Sequence, residues 1–166
     1  MVYIITGASH TGKTALAQRM LEKYKYPYLS MDHLKMGLIR SGNTSLTPYD
    51  DAELTVYLWP IVCGIIKTAV ENRQHLIVEG CYVPPNWESY FEDDYLLNVK
   101  CLCLVMTEDY IRSHASDIKN YANIIESRID DCIDIQALIN DNLSYLAYKG
   151  KHTEILLIDK EYNIKI

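Results

Sequence analysis

Gly7-Ala8-Ser9-His10-Thr11-Gly12-Lys13-Thr14 fits the spacing G-x-x-x-x-G-K-[ST]. No other stretch limits the fold as strongly, because this loop needs a strand before it and a helix after it. Val2-Tyr3-Ile4-Ile5 is a short apolar run rich in β-branched residues, and Ala15 to Leu21 reads as helix. Gly7 and Gly12 permit close approach and backbone angles that a Cβ would forbid. Successive backbone N–H groups then form an anion nest, and the helix behind aims its positive end at the same point. Gly7, Ala8, Ser9, His10, Thr11, Gly12, Lys13, Thr14 and Ala15 are therefore the candidate phosphate-binding residues. Lys13 supplies a full charge, and Thr14 a hydroxyl ligand for Mg²⁺.

The 166 residues suffice for one domain, and no linker-like or repeated stretch divides them. A net charge of -6 argues against a broad nucleic-acid surface while leaving room for a nucleotide pocket. No uninterrupted apolar run approaches the ~20 residues of a membrane span, and the first residues lack a basic signal-peptide region. Five cysteines (Cys63, Cys81, Cys101, Cys103 and Cys132) sit mostly in apolar runs without Cys-x-x-Cys spacing. Reduced thiols in a cytoplasmic protein are expected, with Cys101 and Cys103 on one face of a strand.

The remaining chain alternates strands and helices. A helix to about Tyr24 ends before Pro27, Tyr28-Leu29-Ser30 is a short strand, and a helix begins at Asp32. Asp50 to Asn72 reads as a long helix with a kink or break at Pro60. His75 to Gly80 is a continuous apolar strand ending in Glu79, and Glu88 to Glu92 a short helix. Val99 to Met106 is a strand. Glu108 to Tyr121 is a helix capped by Thr107, and Ile124 to Tyr148 another, with an interruption expected at Asn120 to Asn123. Glu154 to Asp159 is the fifth strand. This alternation means an α/β fold with a mainly parallel sheet, whose ligands sit at the strand C-terminal ends.

Three groups meet at that edge: the phosphate loop, Ser30 to Asp32, and Glu79 to Trp87. Asp32 is the candidate for orienting or deprotonating an acceptor hydroxyl and for holding a metal-bound water; a plain helix cap is its structural alternative. Glu79 is a candidate metal and acceptor ligand, with Gly80 and Tyr82 beside it. Lys35 and Arg40 would suit an anionic acceptor. Arg112 and Arg128 are candidate catalytic cations over the phosphates. Sixteen residues apart, they would face nearly opposite ways on an unbroken helix, so both serve one site only if the helix breaks.

Taken together, the phosphate loop, Ser30-Met31-Asp32, Val78-Glu79-Gly80 and the Arg-bearing helical region after the fourth strand resemble the P-loop small-molecule and nucleotide kinases. These include adenylate, shikimate and gluconate kinases, chloramphenicol phosphotransferase and zeta-toxin-type kinases. Tyr28 to Gly37 is also similar to 2-phosphoglycerate kinase-like proteins. The resemblance implies ATP as donor, Mg²⁺, a three-layer fold with a five-stranded parallel sheet of order 2-3-1-4-5, acceptor-side helices over about 32–72 and a closing helical lid over about 108–130. It implies Thr14, Asp32 and Glu79 around the metal and a small-molecule acceptor, in a monomer or homodimer that binds neither nucleic acid nor membrane. After Glu79-Gly80 the chain continues Cys81-Tyr82-Val83-Pro84, without the arginine of the nucleotide monophosphate kinases. A regulatory nucleotide binder and a zeta-toxin-like kinase of a sugar nucleotide remain alternatives.

Overall fold

The computed structural model describes residues 1–121, 134–162 and 164. Its five strands are β1 (Val2–Gly7), β2 (Tyr28–Ser30), β3 (Leu76–Glu79), β4 (Val99–Met106) and β5 (Thr153–Ile158). They form one sheet of order β2-β3-β1-β4-β5, parallel at every pairing, as the resemblance implies. Register places Ile5 opposite Glu79, Ser30 opposite Glu79, and Gly7 opposite Leu104. The strand order reverses about β1, which opens a crevice at its C-terminal end.

Alternation along the strands separates two cores. Val2, Ile4, Val78, Cys101, Cys103 and Val105 face one layer, with α2 (Met31–Arg40) and α3 (Asp51–Glu71) packed on it. Ile5, Ile77, Leu102, Leu104 and Met106 face the other, under α1 (Lys13–Tyr24), α5 (Glu108–Ser113) and α7 (Ile135–Tyr145). Cys101 and Cys103 are fully buried on one face, as their spacing predicts. Cys132 lies outside the described residues.

By length and a mean hydropathy of 1.4, α3 is long and apolar enough to cross a membrane. Here it is a core helix: Leu54, Leu58, Val62 and Ile66 along it are fully buried. Of the kink or break expected at Pro60, the break does not occur: α3 continues through it. Pro60 sits on the exposed side beside Val56, so the carbonyl that loses its partner faces water.

The expected helix from Glu108 to Tyr121 is divided at His114 instead, into α5 and α6 (Ala115–Tyr121), with α4 (Asp93–Leu96) preceding β4. Thr107 caps α5 as predicted, accepting from the Tyr110 amide at 3.2 Å. The division follows from side chains that compete for its carbonyls: Ser113 Oγ donates to Asp109 O at 2.6 Å, and His114 Nδ1 lies 3.1 Å from Tyr110 O. The helix expected from Ile124 falls partly outside the described residues. Its described part starts afresh at Ile135, because Asp134 caps the amides of Gln136 and Ala137 at 2.9 and 3.1 Å. A 3-10 turn over Trp87–Tyr90 stands where a short helix was expected.

Candidate functional site

The phosphate loop joins the C-terminal end of β1 to α1. A Cβ at Gly7 would lie 2.3 Å from the Leu104 carbonyl oxygen, so the loop leaves the sheet where only glycine fits. Gly12 ends the loop in the left-handed region, at φ 80°. His10 also takes a positive φ of 63°, a conformation an L-residue with a side chain adopts at some cost. Thr11 Oγ1 and Lys13 Nζ both donate to the Ala8 carbonyl at 2.8 Å, which ties the loop together from within. The first turn of α1 holds no acidic residue and takes no side-chain cap. Its leading amides, through Thr14 and Ala15, keep the positive end of the helix toward the loop.

Two residues far along the chain touch this loop. Tyr162 Oη donates to the carbonyls of Thr11 and Gly12 at 3.0 and 3.2 Å. The tail carrying it is anchored by Arg19, which donates to Ile164 O at 2.9 Å. From α7, Asp141 accepts the Ser9 amide at 3.3 Å. Sequence reasoning named neither Tyr162 nor Asp141, and no local motif marks them.

The residues expected on the acceptor side come together where β2 and β3 end. Thr14 Oγ1 donates to Glu79 Oε2 at 3.4 Å, so the phosphate loop meets the end of β3. Glu79 is only 1% exposed, a carboxylate held at depth. Gly80 follows it in tight contact with Met31, where a Cβ would lie 2.7 Å from the Met31 Cβ. Asp32 is the second residue of α2, not its cap; its carboxylate pairs with Lys35 at 2.8 Å. Lys35 Nζ also donates to Tyr82 Oη at 2.7 Å, and Tyr82 Oη donates to Asp51 Oδ1 at 3.0 Å. Asp32, Lys35, Tyr82 and Asp51 thus form one chain of contacts across the α2–α3 layer. Asp51 joins this network although its sequence position suggested only a helix start.

Burial, with the carboxylates of Asp51 and Asp32 nearby, pushes the Tyr82 phenol well above its usual range, so it remains a donor at neutral pH. Burial likewise pushes the Cys81 thiol up.

The predicted cations divide. Lys35 lies in this chain of contacts, and Lys13 lies against the Ala8 carbonyl of the phosphate loop. Arg40 is the exposed last residue of α2. Arg112 is held by Glu108 at 2.7 Å and donates to Gln136 at 3.3 Å, an exposed pair at the α5–α7 contact. Arg128 lies outside the described residues, so the lid reading stays with the sequence.

Among the described residues no three His, Cys, Asp or Glu side chains cluster as a metal site. The donors at Thr14 and Glu79 are all oxygen. That suits Mg²⁺, which keeps waters and substrate phosphates in its shell and needs few protein ligands.

No family model and no curated protein matches the chain. Solved structures do. A sugar kinase from Janibacter is 16% identical, with a TM-score of 0.55 over 95% of this chain and 84% of its own. A shikimate kinase from Bacteroides thetaiotaomicron is 13% identical, with a TM-score of 0.51 over 96% of this chain and 86% of its own. At such identity the likeness is one of fold: a five-stranded parallel sheet of order 2-3-1-4-5 with helices around it, the P-loop kinase fold.

Proposed function

We propose that this chain transfers a phosphoryl group from ATP, with Mg²⁺, to a small acceptor. The observation that carries the reading is the 3.4 Å contact between Thr14 and Glu79. It brings the phosphate loop against the strand end that borders Asp32, so donor and acceptor groups share one edge of the sheet.

The loop amides and Lys13 bind and orient the phosphates. Mg²⁺, when bound, supplies counter-charge for the transferring group. Thr14 and Glu79 would hold it, with Asp32 acting through a water. Asp32 orients the acceptor hydroxyl and takes its proton. Lys35 keeps the Asp32 carboxylate in place, and Tyr82 and Asp51 keep Lys35 in place. These are positioning contacts, because each acts through its neighbour.

The fold shared with a sugar kinase and a shikimate kinase supports this reading. A coupled assay of ATP consumption across sugars, polyols, sugar acids, antibiotics, phosphoglycerates and nucleoside monophosphates tests it. At least one acceptor should be phosphorylated, and Lys13→Ala should abolish that turnover. Nucleotide binding without transfer to any acceptor would favour a regulatory nucleotide binder instead.

A further inference from the structure

A second cleft opens at the edge of the sheet opposite the phosphate loop. The loop follows the C-terminal end of β1, whereas this cleft lies beside Leu76, the first residue of β3, and Pro27, just before β2. Its volume is about 850 Å³, within the range of small-molecule sites. Ile61 and Ile65 of α3, with Ala69 and Leu76, supply an apolar lining. Gly64 stands between the two isoleucines on the same helix. A Cβ there would meet nothing within 4 Å, so the space in front of the helix is open.

Three rings and two cations line the rest. Tyr26 and His75 stack at 4.2 Å with 7° between their planes, and Tyr24 follows at 5.7 Å from Tyr26. The Met1 ammonium stands 3.5 Å from His75 Nδ1. Lys25 and Arg73 are the two cations, and both lie in the left-handed region, at φ 60° and 55°. Lys25 ends α1 by donating its amide to Leu21 O at 2.8 Å. At the end of α3, Arg73 donates to Val70 O at 2.9 Å and Gln74 to Ala69 O at 2.8 Å. Glycine usually closes helices in this pattern. Each position therefore keeps a cation at a conformational cost that glycine would avoid. Among the described residues neither cation has an ion-pair partner, and no carboxylate lines the cleft. The whole chain carries 22 Asp and Glu against 16 Lys and Arg, so this lining runs against the protein's own charge.

We propose that this cleft binds a flat aromatic compound bearing an anionic group, at a site separate from the phosphate loop. The rings and the apolar lining take the flat face, and Lys25 and Arg73 hold the anion by charge-assisted hydrogen bonds. A cation near a helix C-terminus also steadies the helix dipole, so the test reads binding and stability separately.

The full chain is titrated calorimetrically with three probes: 2-naphthoate, its neutral amide 2-naphthamide, and cyclohexanecarboxylate, an anion without an aromatic ring. The naphthoate should bind about fivefold or more tightly than either of the others. Lys25→Gly and Arg73→Gly suit the left-handed backbone, so their thermal midpoints should hold or rise while naphthoate affinity falls. Gly64→Leu places a better helix former at an exposed position and fills the cleft; it should keep the fold and abolish binding. Equal binding of 2-naphthamide, naphthoate binding that survives Gly64→Leu, or no saturable binding of any probe overturns the proposal. So does a dimer in sedimentation that Gly64→Leu dissociates, which would assign the cleft to a second copy of the chain.

Discussion

Ser9 in the phosphate loop donates its backbone N–H to the carboxylate of Asp141, 132 residues along the chain, at 3.3 Å. The loop's amides are arranged for anions, and this one already faces an anion of the protein. A bound phosphate must share or displace that contact and sits near a like charge. Asp141→Asn should tighten ATP binding about threefold to tenfold, a modest effect because the contact is exposed. Calorimetric titration with ATP checks this; unchanged or weaker binding shows that Asp141 shapes the loop without opposing phosphate.

Tyr162 closes the other side of the loop. A Cβ on Gly12 would lie 1.9 Å from the Tyr162 hydroxyl, at a backbone φ of 80° that side chains rarely adopt. Gly12→Ala should nearly abolish nucleotide binding while circular dichroism stays native. Tyr162→Phe, which removes the hydrogen bonds to Thr11 and Gly12, should cost about 1 kcal/mol of stability and raise KM for ATP more than it changes kcat.

Asp32→Asn keeps the size of the side chain and its place beside Lys35 but removes the carboxylate proposed as the base. Turnover of the acceptor should fall about 10²- to 10⁴-fold, with ATP affinity nearly unchanged. A rate within twofold of the parent would show that another group takes the proton.

Trp87 is 1% exposed, donates Nε1 to Thr153 at 2.9 Å, and packs edge-on to Phe91. It locks the segment after Glu79 onto the edge of β5. Trp87→Ala should destabilise by about 3–5 kcal/mol in urea denaturation. A smaller loss would mean that this segment repacks and leaves the acceptor edge intact.

Burial raises the Cys63 and Cys103 thiols from their usual 9.0 to about 12. The fold therefore favours their protonated form. Their contribution is fully present below about pH 9 and is lost as pH climbs toward 12, where the unfolded chain sheds its protons first. Thermal midpoints should fall steadily above pH 9, and Cys103→Ala should flatten that fall. A midpoint flat from pH 9 to 11 would contradict the buried placement of these thiols.

The phosphate loop and the order of elements were legible because their determinants are local. Glycines at fixed spacing, a β-branched run before them and a helical run after them act over a few residues. The two faces of β4 and the Thr107 cap follow from equally short-range patterns. Helix ends were less legible: the division at His114 and the fresh start at Asp134 depend on which side chains find carbonyl or amide partners. The unbroken passage through Pro60 depends on the exposure of that side of α3. The contacts of Asp51, Asp141 and Tyr162 were not legible, because each joins groups distant in sequence through the path the folded chain takes. Sequence alone determined that a glycine-bounded loop of phosphate-binding spacing joins a strand to a helix, and that Lys13 stands at its end. Tertiary structure decided what surrounds it: Lys35 read alone is a free cation, but packing sets it between Asp32 and Tyr82, and pairing within a partly buried site changes what that charge can bind.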